Sequence, residues 1–307
     1  MTTSLPEKAR APGRYVQGGA EQGPPLEVCL PPHHSALNLL PEVRATALAL
    51  FVELGIPWHA SADGGPSNHL LSSQVQCVNA LGQMVSDPGR VVRAFGGVIG
   101  TAEVLEIEPG RFLTFEYIGD HDYFSEAPTG RRTRGSMCTS VDAAFLHRTS
   151  AGVTELVLIE WKYTEAYLLR DPEPAKDETR RRRYEPAILE LDCPVRADLL
   201  AFVDLLDEPL YQLMRQQLLA SALERDRAHG ADVVRVLHVH PAANLAYQAS
   251  LHRPSQQALG HTVDAAWSSL LRRPDRFAVL DSEHFLDPAV TSQEYVARYG
   301  DLLDDHA

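Results

Sequence analysis

An apolar run that ends in charged residues, ELVLIEWKYTE at positions 155–165, restricts the fold more than any other segment. Strand side chains alternate between the two faces of a sheet, so Leu158, Glu160 and Lys162 share one face. The opposite face is apolar or aromatic throughout, as in a central strand that is packed on both sides. The segment therefore predicts a core β-strand that carries an acid and an amine to its edge.

Helical and strand-like patterns alternate along the rest of the chain. Apolar residues at helical spacing predict helices over residues 40–56, 70–85 and 196–228, the last of them broken near 207–209. Runs rich in β-branched and aromatic residues predict strands over residues 91–100, 102–108, 111–119, 138–148, 153–165 and 231–241. This order indicates an α/β fold with a mixed central β-sheet flanked by helices.

Composition divides the chain into an arm and one large domain. Residues 1–30 are rich in Pro, Gly, Glu and Gln without an apolar period, and we expect a flexible N-terminal arm. The length of 307 residues, of which 44% are hydrophobic, fits a single α/β domain over residues 31–307. Within this domain we expect a core at about 70–242, an insertion at about 166–194 and a C-terminal helical extension at 243–307.

Several classes of protein are disfavoured by the sequence. The net charge of -13 argues against a protein that coats nucleic acid by electrostatics alone, although it leaves room for a local site. The four cysteines are far apart and form no C-x-x-C pair, which argues against a structural zinc site and a disulfide framework. The chain contains neither an apolar stretch long enough to span a bilayer nor the apolar centre of a secretory signal, so we expect a cytoplasmic protein without a membrane partner.

A second acid is expected beside Glu160. In the preceding predicted strand Asp142 shares a face with Ala144 and Leu146, and paired strands run about 4.8 Å apart. Two carboxylates at that distance repel each other unless one is protonated or a cation lies between them. Oxygen ligands that leave positions open to water and phosphate suit Mg²⁺ or Mn²⁺, and Lys162 beside them could orient or deprotonate a water. The residues therefore predict a site for metal-dependent phosphodiester hydrolysis.

These residues resemble a known pattern. Asp142, followed after seventeen residues by Glu160-x-Lys162, is similar to the D-x(n)-(D/E)-x-K signature of the PD-(D/E)XK nuclease superfamily. The order of elements over residues 70–242 resembles the core of that superfamily. The strings LLSSQVQCVN, RRTRGSMCTSVDA, IEWKYTE and YQLMRQQLLA look more closely like a bacterial family of restriction-endonuclease-like nucleases.

The resemblance implies a restriction-endonuclease-like fold and Mg²⁺-dependent cleavage of nucleic acid, with DNA as the expected substrate. It implies that Asp142 and Glu160 bind the metal and that Lys162 is the catalytic lysine. A further acid often completes such sites, and Glu116 is our first choice, ahead of Glu103 and Glu106. The chain departs from the pattern at Val141, which stands where the signature has proline, at a position that contacts no metal.

Three segments supply candidate substrate contacts. They are Ser73 and Gln74 in the first turn of a helix, Gln212 and Arg215 one turn apart on another helix, and Arg131, Arg132 and Arg134 in the loop before Asp142. Free backbone N–H groups at a helix start and guanidinium groups both favour phosphate. Helix capping for the first pair and solvent exposure for the others are the competing interpretations.

Two alternatives remain open at the level of sequence. The first is a catalytically silent protein with a nuclease fold that binds nucleic acid or a protein partner. The second is a zinc protein, since His238-x-His240 and His33-His34 could bind a metal. The sequence shows no persuasive third ligand for either pair, and structural histidines are favoured. The sequence does not fix the oligomeric state and is compatible with a homodimer.

Overall fold

Ten β-strands form three sheets in a computed structural model that describes residue 5, residues 9–127 and residues 130–300. The strands are β1 (Gly13–Gln17), β2 (Ala20–Leu26), β3 (Ser61–Ala62), β4 (Gly65–Ser67), β5 (Thr101–Leu105), β6 (Thr114–Tyr117), β7 (Val141–Thr149), β8 (Thr154–Trp161), β9 (Val233–His240) and β10 (Phe277–Asp281). Two of the sheets are short hairpins, β1 with β2 and β3 with β4, and the third is the central sheet.

Nine α-helices surround these sheets in the described part of the chain. They are α1 (Pro41–Leu54), α2 (Ser73–Leu81), α3 (Pro88–Ile99), α4 (Pro174–Ile188), α5 (Leu210–Arg225), α6 (Leu245–Gln248), α7 (Pro254–Gln257), α8 (Val263–Leu270) and α9 (Gln293–Tyr299). Among the described residues no single helix is both long and apolar enough to cross a membrane. The 3₁₀ helix Pro32–Asn38 and α1 pass that test only when counted together, across a bend of 110°.

The central sheet has six strands in the order β10-β9-β8-β7-β5, with β6 paired to β7 beside β5. The first two neighbouring pairs, β10 with β9 and β9 with β8, are parallel. The strand β7 is antiparallel to its three partners β8, β5 and β6. The predicted α/β fold with a mixed central sheet and flanking helices is therefore confirmed.

Each face of the central sheet carries its own hydrophobic cluster. On one face Leu156 and Leu158 of β8 pack in the cluster that includes apolar residues of α4, α5 and α8. On the other face Val157 and Ile159 pack in the cluster that includes residues of α1, α2, α3 and α9. The apolar run is thus covered on both sides, which explains why its alternate residues are all hydrophobic. At the end of β8 the face of Leu156 and Leu158 continues with Glu160, a charged residue that is buried as well.

The prediction of a strand over residues 91–100 was wrong, because this segment lies in the helix α3. The side chain of Asp87 accepts a hydrogen bond from the backbone of Arg90, Pro88 occupies the first turn, and Gly100 ends the helix with a positive φ of 74°. Val91, Ala94 and Phe95 are buried at helical spacing. The β-branched and aromatic residues of the segment suggested a strand, whereas the cap, the proline and the final glycine are the signals of a helix.

The described parts of the predicted arm, insertion and extension contain regular secondary structure. The described part of the predicted flexible arm, residue 5 and residues 9–30, includes the hairpin of β1 and β2, while residues 1–4 and 6–8 of that arm lie outside the description. The predicted insertion at 166–194 contains α4, which buries Tyr184 and Ile188. The extension that was predicted as helical also contributes β10 to the central sheet, and its last residues, 301–307, are not described.

Candidate metal and catalytic site

Three carboxylates stand in one row across neighbouring strands of the central sheet. The register that pairs Ala143 of β7 with Ile159 of β8 sets Asp142 opposite Glu160. Glu116 of β6 falls opposite Asp142 on the other side, because the residues before and after it pair with Ala143 and Val141. Directly opposite residues of antiparallel strands point to the same face. The two acids that the sequence placed together therefore do lie side by side.

The two central acids are held by different partners. Asp142 Oδ2 accepts a hydrogen bond of 2.7 Å from the backbone N–H of Trp161. Glu160 is almost completely buried, with 1% of its surface exposed. Its Oε2 accepts a hydrogen bond from Gln216 of α5, and its Oε1 lies 2.6 Å from Lys162 Nζ. Each carboxylate thus has a fixed orientation at the end of the strand pair.

Glu116 has an unusual backbone conformation. Its φ is +47°, in the left-handed region that residues with a Cβ rarely adopt, although it lies within β6. Its Oε1 accepts a hydrogen bond of 2.8 Å from Gln74 and its Oε2 accepts one of 3.1 Å from Ser140. Such strain is often found at functional sites, where the surrounding structure supports it. Gln74 in turn accepts a hydrogen bond of 2.8 Å from the backbone N–H of His59.

Lys162 follows β8 directly and turns its amine back onto the acids. Its backbone N–H donates to the carbonyl of Val239 over 2.7 Å, which continues the pairing with β9 by one residue. Its Nζ donates a hydrogen bond of 2.6 Å to Gln212 Oε1 and forms the ion pair with Glu160. Burial would lower the pKa of this lysine, but the Glu160 carboxylate and the other acidic groups around the amine, among them Glu165, together raise it well above the usual value.

Burial and nearby negative charge disfavour the charged forms of Asp142 and Glu116. The pKa of Asp142 is raised well above its ordinary value, first by burial and then by the charges of Glu160 and Glu116. Burial also raises the pKa of Glu116, although its hydrogen bonds from Gln74 and Ser140 oppose that rise. One ammonium group, from Lys162, faces three carboxylates in this row. The site therefore has an excess of negative charge that an added cation would neutralise.

The acids open into a cavity of about 520 Å³. Its walls include Trp58 and His59 from the loop after α1, the start of α2, residues 135, 136 and 140 of the loop before β7, and Gln212 of α5. A neighbouring cavity of about 380 Å³ shares Gly135, Ser136, Ser140 and Gln212 with it. The row of carboxylates is thus accessible from one side and continuous with a second polar recess.

The three carboxylates are not drawn into a closed cage. Among the described residues, only His238, His240 and Asp264 bring three ligand atoms within 4.8 Å of one another. The oxygens of Asp142, Glu160 and Glu116 are therefore spaced more widely than that. Wider spacing is expected of like charges that repel each other. A cation held here without rearrangement would therefore contact at most two of the three acids.

The candidate substrate contacts divide into two groups. Ser73, Gln74 and Gln212 line the cavity with the acids. Arg132 instead donates to the backbone carbonyls of Ile118, Gly119 and His121, at 2.7 to 3.0 Å. Arg134 is bound in a similar way, because it donates to Thr114, to the carbonyl of Phe115 and to Glu108. Both arginines therefore hold the loop in place. Arg131 is exposed.

Arg215 lies in the neighbouring cavity and not beside the acid row. Its guanidinium group donates to Thr139 Oγ1 at 3.1 Å and to Glu126 Oε1 at 3.2 Å. Glu126 is buried, with 5% of its surface exposed, and it also accepts a hydrogen bond from Tyr184. The pairing gives Arg215 a structural task, because it neutralises a carboxylate that has little access to water.

The acids proposed as substitutes for Glu116 lie elsewhere. Glu103 forms an exposed ion pair of 2.5 Å with Arg148, and Glu106 accepts a hydrogen bond of 3.2 Å from the backbone of Gly110. Gln216, which supports Glu160, was missed by the sequence reasoning. It follows Gln212 by four residues and therefore shares its helix face, which is the signal that could have identified it.

A comparison with known families gives a match over nearly the whole chain. A family model described as "Restriction Endonuclease associating with ARP" matches residues 4–301. No curated protein and no solved structure matches the chain. The match agrees with the restriction-endonuclease-like family that the strings of the sequence resembled.

Proposed function

The chain belongs to the family of restriction endonucleases associating with ARP, and we propose that it is a metal-dependent nuclease of the PD-(D/E)XK type. The proposed reaction is the hydrolysis of phosphodiester bonds in nucleic acid, with DNA as the substrate. The family description supports a nuclease in general terms, and the specific reaction rests on the site. We also propose a cytoplasmic protein that acts with a partner named as ARP.

One observation supports the proposal more than any other. Asp142 and Glu160 stand opposite each other on paired strands, and Lys162 Nζ lies 2.6 Å from Glu160 Oε1. A row of three acids with one amine is costly to bury, and such a cluster is typical of a functional site that binds a ligand. A structural ion pair would need one acid for the amine, whereas this row supplies three.

The donor set fits Mg²⁺ or Mn²⁺. Asp142 and Glu160 would hold the cation, since carboxylate oxygens are the ligands that these hard ions prefer. Both acids sit at the wall of a cavity of about 520 Å³, which leaves room for water and a phosphate. When bound, such a cation polarises a phosphoryl oxygen and lowers the pKa of a coordinated water.

The residues of the chain would divide the remaining tasks. Gln216 orients Glu160, and Gln212 fixes the position of the Lys162 amine. Lys162 would hold the attacking water and offset the negative charge that develops on the phosphate. Despite its burial the amine has a raised pKa, because Glu160 and the other acidic groups around it favour its charged form. Ser73 and Gln74, at the start of α2, would contact the bound nucleic-acid strand.

A cleavage assay tests the proposal directly. The purified full chain is incubated with double-stranded DNA, single-stranded DNA and RNA, each with Mg²⁺, Mn²⁺ or EDTA. We expect cation-dependent cleavage of DNA that falls by at least about 100-fold in Lys162→Ala, the scale that one positioned charge or proton donor supplies. Lys176→Ala is the matched control, because that lysine is exposed on α4 and pairs only with Glu173 in the described structure.

Two results would count against the proposal. Cleavage that persists in EDTA would exclude a role for a cation. Binding of DNA with no cleavage under any of the conditions, from protein whose melting curve shows an intact fold, would favour the catalytically silent nuclease-fold protein. If RNA alone is cut, the nuclease assignment holds and the proposal of DNA as substrate fails.

A further inference from the structure

Two histidines and an aspartate converge on the same side of the sheet as the acid row, one strand further along. His238 and His240 alternate along β9 and share a face, and Asp264 lies in the first turn of α8. Asp264 Oδ1 lies 2.8 Å from His238 Nδ1, and its Oδ2 lies 2.8 Å from His240 Nε2. The ligand atoms of all three residues lie within 4.8 Å of one another.

The second nitrogen of each histidine has a partner that fixes the ring. His240 Nδ1 lies 3.1 Å from the carbonyl oxygen of Pro241, and only a protonated Nδ1 can donate to it. His238 Nε2 lies 3.0 Å from the hydroxyl of Tyr247. Metal-binding histidines are held in this way, by one ring nitrogen, so that the other nitrogen faces the ion. The remaining nitrogens, His238 Nδ1 and His240 Nε2, are the ones that face Asp264.

Gln248 brings a fourth polar group to the cluster, and its contacts conflict. Its Nε2 lies 2.7 Å from Asp264 Oδ2 and 3.0 Å from His240 Nε2. If His240 Nε2 is protonated and donates to Asp264, two hydrogen-bond donors, this N–H and the Gln248 amide, lie next to each other. If His240 Nε2 carries no proton, its lone pair faces the carboxylate. Gln248 Oε1 is meanwhile buried with no hydrogen-bond partner. The four groups thus crowd together without a consistent arrangement of protons.

We propose that His238, His240, Asp264 and Gln248 form a binding site for Zn²⁺ or a similar divalent transition metal. Rotation of the Gln248 amide by half a turn brings its oxygen to the cluster, and every close contact then joins a donor atom to the cation. Two imidazole nitrogens and two oxygens are a ligand set that suits zinc. The proposal does not depend on nuclease activity.

The contacts to Asp264 would have to lengthen slightly when the cluster holds the ion. Bonds of about 2.0–2.1 Å at tetrahedral angles separate ligand atoms by about 3.3 Å, against 2.8 Å for the two hydrogen bonds to Asp264. His238 is fully buried and His240 is 4% exposed, so the ion would be shielded from water. Four protein ligands make a closed site, which is typical of structural zinc. It would tie β9 to α6 and α8.

Metal analysis of the full-length protein tests this site. After dialysis against Zn²⁺ and removal of the excess, we expect one equivalent of zinc per chain by mass spectrometry. With Co²⁺ in its place, we expect the visible absorption of a tetrahedral cobalt centre. A hundredfold excess of zinc over its Kd should raise the melting temperature by about 5 °C, as expected for a domain of this size.

Variants separate this site from the acid row. Asp264→Asn should lose the bound zinc and the absorption of cobalt. Asp281→Asn is the matched control, because Asp281 is an exposed acid on β10 that pairs in register with His240 but lies outside the cluster. The double variant Asp142→Asn, Glu160→Gln should keep its zinc, which shows that the ion does not occupy the acid row.

Three results would overturn the proposal. Wild-type protein with an intact fold that retains no zinc and shows no cobalt absorption has no such site. Zinc that is lost in the double variant but kept in Asp264→Asn is bound at the acid row. An octahedral cobalt spectrum would contradict the four-ligand arrangement. This measurement uses the wild-type protein, so it does not depend on a variant that fails to fold.

Discussion

Replacement of Asp142 by asparagine should stabilise the metal-free protein and abolish its stabilisation by Mg²⁺. Asparagine keeps the shape of the side chain and an oxygen that can accept the 2.7 Å hydrogen bond from the Trp161 N–H. It removes the charge that faces Glu160 and Glu116 across the sheet. The variant therefore isolates the cost of burying a third acid in this row.

The size of the effect follows from the geometry of the strands. Directly opposite residues have Cβ atoms about 5 Å apart, and two unit charges at that distance repel by about 3 kcal/mol at an effective dielectric constant of 20. The variant also loses the attraction between Asp142 and Lys162, and a neutral acceptor binds the Trp161 N–H less strongly, by about 1 kcal/mol. We expect a net gain of about 1–2 kcal/mol in the free energy of unfolding at pH 8.

The gain should depend on pH. The pKa of Asp142 is raised in the folded state, above the unfolded value of about 3.9, so between the two values the folded protein binds more protons. The stability of the wild type therefore falls as pH rises from about 4 through the folded-state pKa. The variant lacks this loss, and its advantage should grow from near zero at pH 4 towards pH 8.

Urea unfolding in EDTA and in Mg²⁺, followed from pH 4 to pH 8, measures both effects. With Mg²⁺ at a hundred times its Kd, the wild type should gain about 2.7 kcal/mol and become the more stable protein, because the cation binds only the folded state. The reasoning is refuted if Asp142→Asn is less stable than the wild type in EDTA at pH 8. It is equally refuted if Mg²⁺ stabilises both proteins to the same extent.

Two further substitutions test the surroundings of the site. Arg215→Ala should lower the free energy of unfolding by about 3–5 kcal/mol, because it leaves the buried Glu126 carboxylate without its cation. Urea unfolding measures this, with Arg182→Ala at an exposed position as the control. Lost DNA binding at unchanged stability would instead give Arg215 a role in substrate binding. Leu158→Ala should cost about 2–5 kcal/mol by the cavity it leaves in the core, whereas Val279→Ala at a position 40% exposed should change stability by about 0.5 kcal/mol or less; equal midpoints for the two variants in urea would contradict the double cover of β8.

The centre of the fold was predictable because its signals are local. The alternation along β8 identified the face on which Glu160 and Lys162 lie, and the same argument for β7 placed Asp142 on the matching face. A shift of β8 by one residue would turn Glu160 and Lys162 to the other face of the sheet, away from their partners, so the charged end of the strand specifies its register. Helix α3 was missed because its β-branched and aromatic residues were given more weight than its cap and its period.

The surroundings of the acid row depended on long-range contacts. Arg132 and Arg134 had the charge for a phosphate clamp, but only the folded loop shows their donors bound to backbone carbonyls and Glu108. Asp264 follows His240 by 24 residues, and no spacing rule for metal ligands connects them. The positive φ of Glu116 is likewise a property of the packed strand and its neighbours, since glutamate has no local preference for it.

The sequence by itself determined the mixed sheet, the pair of acids and the lysine, because side-chain alternation and hydrophobic burial act between near neighbours in the chain. Tertiary structure alone decided that glutamines and not the candidate arginines lie at this site, and which residues meet at the histidine cluster. Such contacts join side chains far apart in sequence, and their geometry is set by the packing of whole helices against the sheet.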